Sequence, residues 1–256
     1  MPETGVVRSE LISYLDELLD SRSFTDFGPN GLQVEGRDPI RKLVTGVSAC
    51  LELFERAGEL GADTVLVHHG LFWKGLPYEL TGVRFQRVES LIRSRMNLIG
   101  YHLPLDAHAE FGNNALGARR LGCRQLEPFG EWEGRKIGFK GRFPESLDPD
   151  QLEARCREVF GKEPLIFRGG PERIETLGIV SGGGAKAVWD AIDEGLDVYV
   201  TGEPNEWVMN VAMESGVHFV AAGHYHSEVL GVQALGEHLV EKFGLDVEFV
   251  DVPNPI

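Results

Sequence analysis

His68-His69, His102 with Asp106, and His224 with Glu228 form three short clusters, each closing an apolar segment of the chain. Imidazole and carboxylate are the side chains that bind divalent ions such as zinc, manganese, iron and nickel. One isolated histidine is more simply a hydrogen-bonded core or surface residue. Here six of the eight histidines lie in or beside the clusters, and five or six ligand groups exceed what one tetrahedral ion takes. The count points to two ions sharing a carboxylate, an arrangement with the metals ~3.5–4 Å apart that activates water for hydrolysis.

Adjacent side chains on an ideal strand face opposite ways. His68 and His69 therefore converge only if the strand has ended and Gly70 lets the chain turn, and they then reach two neighbouring ions more readily than they chelate one. Asp106 follows His102-Leu103-Pro104-Leu105, a loop preset by proline, and reads as a ligand; a loop-capping carboxylate is its plainer role. His224 and Glu228 share a face if residues 224–228 are helical. The run before them predicts a strand, a turn, and a helix opened by Glu228; either way both reach one centre. Tyr225 and His226, between them, and Glu203 are candidate proton donors, with solvent-facing loop positions the plainer reading for Tyr225 and His226.

Ser181-Gly182-Gly183-Gly184-Ala185-Lys186 sits between a strand and a helix, where bare amides cradle an anion. It lacks the ending of a Walker loop, and close approach of two lobes is the simpler use of its glycines. Phe72-Trp73-Lys74 either floors a pocket or packs as core, and Asn30-Gly31 is a turn signal first.

The elements that position these groups alternate. Leu11, Ile12, Leu15, Leu18 and Leu19 predict an amphipathic first helix, broken by turn chemistry across residues 26–33. Strand-like residues 43–48, 64–67 and 98–101 alternate with helical patterns carrying Leu53, Phe54, Ala57 and Leu60, then Phe85, Val88, Leu91 and Ile92. This predicts a largely parallel sheet covered by helices. The second half repeats the order. Ile179-Val180-Ser181 echoes Val47-Ser48-Ala49, and Glu194-Gly195-Leu196-Asp197 echoes Leu60-Gly61-Ala62-Asp63. His102…Asp106 and His224…Glu228 then share one spacing. The expected fold is α/β, with two intertwined, internally related lobes and the metal site in the cleft between them, at the carboxyl ends of strands. The expected divisions are 1–126, 127–228 and 229–256, the last a closing helix and strand packed back on the first lobe. The boundary is placed in residues 127–134. Strands at 137–143 and 164–168 flank a helix starting at Asp148-Pro149.

Composition narrows the function. With 40 acidic and 25 basic residues the net charge is −15, which repels phosphate backbones and argues against nucleic acid as a partner. Cys50, Cys123 and Cys156 are widely spaced and read as reduced thiols. Met1-Pro2-Glu3-Thr4 lacks the basic and apolar regions of a signal peptide, and no apolar run suits a bilayer. A cytoplasmic chain with no membrane partner is expected.

Gly28-Pro29-Asn30-Gly31-Leu32-Gln33-Val34, Val67-His68-His69-Gly70-Leu71-Phe72-Trp73-Lys74-Gly75 and Tyr101-His102-Leu103-Pro104-Leu105-Asp106-Ala107-His108 resemble motifs of the Nif-three-like family. So do Gly112-Asn113-Asn114, Thr201-Gly202-Glu203 and Gly223-His224-Tyr225-His226-Ser227-Glu228. The resemblance spans nearly the whole chain. It implies two α/β lobes, a dinuclear metal site and a toroidal homohexamer, and its bacterial members carry the label GTP cyclohydrolase 1 type 2 homologue. By that resemblance His69 and Asp106 bind one metal, His68 and His224 the other, and Glu228 bridges both, while His102 orients Asp106. Ser48-Ala49-Cys50 departs from the many relatives that carry an acidic residue there. The expected function is a hydrolase with two divalent ions (zinc, manganese, iron or nickel) acting on a small phosphorylated or nucleotide-like molecule, with Glu228, His102 and His226 in catalytic roles. The alternative is a non-catalytic metal-binding scaffold. A nucleic-acid phosphoesterase is disfavoured by the charge.

Overall fold

In chain order the helices and strands are α1 (Arg8–Leu18), β1 (Gly31–Val34), β2 (Lys42–Ser48), α2 (Leu51–Glu59), β3 (Thr64–His69), α3 (Gly82–Ser94), β4 (Asn97–Gly100), α4 (Leu103–Asp106), α5 (Asn113–Arg120), β5 (Arg124–Trp132), β6 (Arg135–Leu147), α6 (Pro149–Phe160), β7 (Leu165–Arg168), β8 (Ile174–Val180), α7 (Val188–Asp193), β9 (Val198–Thr201), α8 (Val208–Ser215), β10 (His218–Ala221), α9 (His224–Phe243) and β11 (Asp246–Phe249). The computed structural model describes residues 5–256; the opening four residues, in which no leader signal was read, lie outside the described residues. Among the described residues no helix is long and apolar enough to cross a membrane, and all three cysteines are free thiols.

The chain forms a mixed α/β fold with two sheets and two compact units. The first runs up to Leu105 and includes Val232–Val252; the second is Asp106–Gly231 with Pro253–Ile256. The chain passes to the second unit at Leu105–Asp106, earlier than residues 127–134. That stretch belongs to β5 and its turn, in a hairpin with β6 that pairs Trp132 with Arg135. Its polar, mostly exposed side chains resemble a linker in sequence, but a hairpin needs only one covered face.

The first unit's sheet has the order β1-β4-β3-β2-β11, and the second unit's runs β5-β6-β8-β9-β10-β7. The two share a pattern. In the first, β2, β3 and β4 are parallel and the strand preceding them, β1, lies antiparallel beside β4. In the second, β8, β9 and β10 are parallel and the preceding strand, β7, lies antiparallel beside β10. The closing strand β11 pairs with β2 and extends the first sheet.

The repeated tetrapeptides have a structural cause. Gly61 and Gly195 both adopt positive φ (71° and 66°) just beyond α2 and α7, a helix stop that glycine takes without a Cβ penalty. The next residues, Ala62 and Leu196, donate back to the carbonyls of Ala57 and Ala191. The following aspartates then tie down the neighbouring strand. Asp63 Oδ2 accepts from the N–H groups of Arg41 and Lys42 (2.9 and 3.1 Å), and Asp197 Oδ2 from those of Glu175 and Thr176 (2.8 and 2.9 Å).

In the first unit, Leu53, Phe54, Val88 and Leu91 from α2 and α3 pack on Val44, Val65 and Val67 of the sheet. In the second, Leu152, Cys156 and Phe160 of α6 cover Leu177, Ile179 and Val220, while Val188 and Val208 meet Phe129, Tyr199 and Phe219 in a second apolar cluster. α6 starts where expected: Asp148 accepts from the Gln151 N–H in a capping box, with Pro149 at the first position.

Candidate metal centre

In the first unit, β2, β3 and β4 run parallel, so their carboxyl ends lie side by side. Ser48 ends β2, His68 and His69 end β3, and His102 follows β4. One ring nitrogen from each of the three histidines lies within 4.8 Å of the others. The sequence argument required β3 to stop before the two adjacent histidines converge. The strand instead runs through both, but its pairing with β4 stops at Val67 while pairing to β2 continues to His69. Released on one side, the last two residues bring their rings to 4.6 Å between centroids. Gly70 is small for a different reason from the one expected. It is absent from the positive-φ glycines, and a Cβ on it would meet the Gln33 amide at 2.1 Å. That amide accepts from the Leu71 N–H (2.8 Å) and donates to the Pro29 carbonyl (2.9 Å), fixing the chain just beyond the histidines.

Each imidazole is oriented through Nδ1. His68 Nδ1 donates to the Tyr101 carbonyl (3.1 Å), His69 Nδ1 lies 3.0 Å from Ser48 Oγ, and His102 Nδ1 donates to Asp26 Oδ1 (2.7 Å). A hydrogen bond at one ring nitrogen is the usual way a protein orients a metal-binding imidazole. Asp26 is buried and also accepts from Asn30 Nδ2 and from the N–H groups of Phe27 and Leu103. Burial alone would raise its pKa; His102, then Asn30 and Phe27, outweigh this and hold it below the usual 3.8.

The second unit holds the acidic candidates. Asp106 ends the short helix α4, not a loop, and its Oδ1 accepts from Asn113 Nδ2 (2.8 Å) and Ser181 Oγ (3.0 Å). The Ser181 N–H donates to Asn114 Oδ1 at 2.6 Å. Helix α9 begins at His224, four residues before the expected start, so His224 and Glu228 share one face. His224 Nε2 lies 3.3 Å from Glu228 Oε2, and its Nδ1 donates to Glu203. Burial opposes the charged ring, but Glu228, followed by Glu203, outweighs it and raises the His224 pKa to about 9. The space beside these two side chains is so tight that a Cβ on Gly182 would sit 2.1 Å from Glu228 Oε1 and 3.0 Å from His224 Nε2. The Gly182 carbonyl accepts from the N–H groups of Gly202 and Glu203. The glycine loop thus serves close approach within its own unit.

His226, two residues from either ligand candidate on α9, projects from another side of the helix. Its ring lies edge-on to buried Tyr225, with centroids 5.6 Å apart. The resemblance implied that His102 orients Asp106; the carboxylate found on His102 is Asp26, and the groups holding Asp106 include Asn113 and Ser181. Asp26, Ser48, Asn113 and Ser181 were not singled out from the sequence as supports of ligands. Only their presence in or beside the quoted motifs marked them.

Residues 6–255 match the profile of the Duf34/NIF3 (NGG1p interacting factor 3) family. The chain is 42% identical over 247 residues to a Deinococcus radiodurans protein named GTP cyclohydrolase 1 type 2 homolog, covering 96% of this chain and 94% of that one. The Escherichia coli K12 protein of the same name is 41% identical over 251 residues, covering 96% and 98%. Among solved structures, the protein ybgI, described as of unknown function, superposes with a TM-score of 0.93 at 39% identity, covering 98% of this chain and all of that one. TTHA1606 from Thermus thermophilus does so with a TM-score of 0.90 at 38% identity, again covering 98% and 100%.

Proposed function

The chain belongs to the Duf34/NIF3 family, and from that premise we propose that it is a hydrolase of small phosphorylated, nucleotide-like molecules, dependent on two divalent ions. The carrying observation is the cluster of His68, His69 and His102, three imidazoles with ligand atoms within 4.8 Å and each Nδ1 already engaged. Imidazoles gathered in this way at the ends of adjacent strands are the donor type that borderline divalent ions take. By the family resemblance, His69 and Asp106 would hold one ion and His68 and His224 the other, with Glu228 a ligand to both. The mixed nitrogen and oxygen donors suit zinc, manganese, iron or nickel. Bound there, the pair would lower the pKa of a shared water and polarise the bond to be cleaved.

The remaining chemistry belongs to the chain. Asn113 and Ser181 hold Asp106, Ser48 orients His69, and Glu203 orients His224. The Asp26–His102 pair is the proposed carrier of a proton to or from substrate. Glu228 would be the carboxylate that both ions use as a ligand. His226 lacks the shared face that favours His224 and Glu228, and is the least supported of the catalytic candidates. The names of the relatives support a guanine nucleotide as the first substrate to try. A homohexamer follows from the resemblance and a cytoplasmic location from the widely spaced thiols; both belong to the same proposal.

A non-catalytic metal-binding scaffold is the second reading, favoured by the burial of Tyr225, which removes one proton donor. Turnover of a nucleotide panel by wild type, Asp106→Asn and metal-stripped protein separates the two. The hydrolase requires turnover in wild type alone, falling at least 100-fold in the other two; equal turnover in all three rejects it. Elemental analysis should give two ions per chain, both lost in Glu228→Ala and one in His69→Ala.

A further inference from the structure

The first unit contains a cavity of about 940 Å³ that the ligand set does not explain, within the size range of small-molecule sites. One wall is the loop after Gly70. Trp73 Nε1 donates to the Gly70 carbonyl (3.0 Å) and the Lys74 N–H to the Phe27 carbonyl (2.7 Å), which pins this loop against the segment around Asp26. Arg84, on α3, donates to the Pro77 carbonyl farther along the loop.

The lining combines flat rings, Trp73 and Tyr78, with the cations Arg22, Lys74 and Arg84. Tyr78 is fully exposed and packs no core. Two carboxylates, Asp16 and Asp26, also line the cavity, and both accept hydrogen bonds from the fold. Asp16 accepts from Ser21 and from the Tyr101 hydroxyl, each at 2.8 Å; Asp26 accepts from His102, Asn30 and two backbone N–H groups. A cationic ligand would find both oxygens of Asp26 and Oδ1 of Asp16 already used. An anion would find three positive side chains on one concave surface of a chain whose net charge is −15, and a planar ring would find aromatic faces.

The cavity also adjoins the imidazoles. Asp26 is both a wall residue and the partner of His102, and the Trp73 ring lies 5.1 Å from that of His102 and 5.8 Å from that of His69. We propose that this cavity is the substrate pocket, taking a planar ring against Trp73 and Tyr78 and a phosphate on Lys74 and Arg84. The substrate class is then a phosphorylated flat-ring molecule, of which a nucleotide is one source and a phosphorylated aromatic acid another. The assignment of this ligand as substrate rests on the hydrolase reading; its binding does not.

The test is calorimetric titration of the full chain, as purified and after metal removal, with guanosine 5′-monophosphate, phenylphosphonate, guanosine and pyrophosphate. Guanosine monophosphate should bind at least 10-fold more tightly than guanosine or pyrophosphate. Tighter binding than phenylphosphonate selects the nucleotide source; the reverse selects the aromatic one. The Lys74→Ala/Arg84→Ala double variant should lose at least 10-fold in affinity and Tyr78→Ala several-fold, with metal content and melting temperature unchanged. No binding, pyrophosphate binding as tightly as the nucleotide, or an unaltered affinity in the double variant overturns the pocket. So does a Tyr78→Ala protein whose mass by light scattering changes while its affinity does not, since that face would then be a protein contact. Binding without turnover rejects the hydrolase and keeps the pocket. Turnover with unchanged KM in the double variant does the opposite.

Discussion

His224 shows how one residue's surroundings set its behaviour. Its folded pKa of about 9 exceeds the ordinary 6.5, so in metal-free protein its pairing with Glu228 and Glu203 stabilises the fold fully below about pH 6.5. That contribution is lost as the pH rises through about 9. The melting temperature of the metal-free protein should therefore fall across this window, and Glu203→Gln should flatten the fall; an identical profile in the variant would remove Glu203 from the account. Gly182 is the other sensitive position. Alanine there places a methyl group 2.1 Å from Glu228 Oε1 at φ +60°. The expected cost is about 1–3 kcal/mol of stability, read from urea unfolding, together with loss of bound metal because Glu228 must move. Unchanged metal content would show that the carboxylate can bind from elsewhere. The ligand candidates were legible because their types are rare and their spacing repeats. Asp26 was not: it meets His102 across 76 positions of chain, and nothing local distinguishes it from a turn residue.

At the level of elements, the repeated Gly-x-Asp is the clearest example of sequence becoming structure. Asp63→Ala leaves the N–H groups of Arg41 and Lys42 without their acceptor and should cost about 1–3 kcal/mol in denaturant unfolding, whereas Asp63→Asn keeps an acceptor and should cost less. Equal loss in both would assign the effect to charge. β2, β3, α3, β4 and α6 were readable because their apolar residues keep one period and their ends carry helix or turn signals. β1 was hidden within Gly31-Leu32-Gln33-Val34, where turn residues run straight into an edge strand. The early start of α9 was hidden because Gly223-His224-Tyr225 carries no apolar stripe; the His224–Glu228 pair, and not hydrophobic spacing, marks that first turn.

For the whole molecule, the position of β11 carries a consequence for how the chain is made. β2 is hydrogen-bonded to β3 on one side and to β11 on the other, yet β11 follows every other described strand in the sequence. The second unit, apart from its last four residues, is one uninterrupted segment and has all its strands while the first still lacks one. Birth order and completion order are thus reversed: the unit begun first is finished last. Until Asp246–Phe249 arrives, β2 presents an open edge of unpaired N–H and carbonyl groups, the kind of surface that recruits strands from other chains. Chains ended after Phe243 should accordingly remain as aggregates in a centrifugation assay, and a synthetic peptide of residues 244–256 added during refolding should rescue them. Recovery of monodisperse truncated protein without the peptide would show that β2 tolerates its bare edge. A stall just before Asp246 is therefore more hazardous for this chain than one just after Phe249, since β11 closes what the first sheet began.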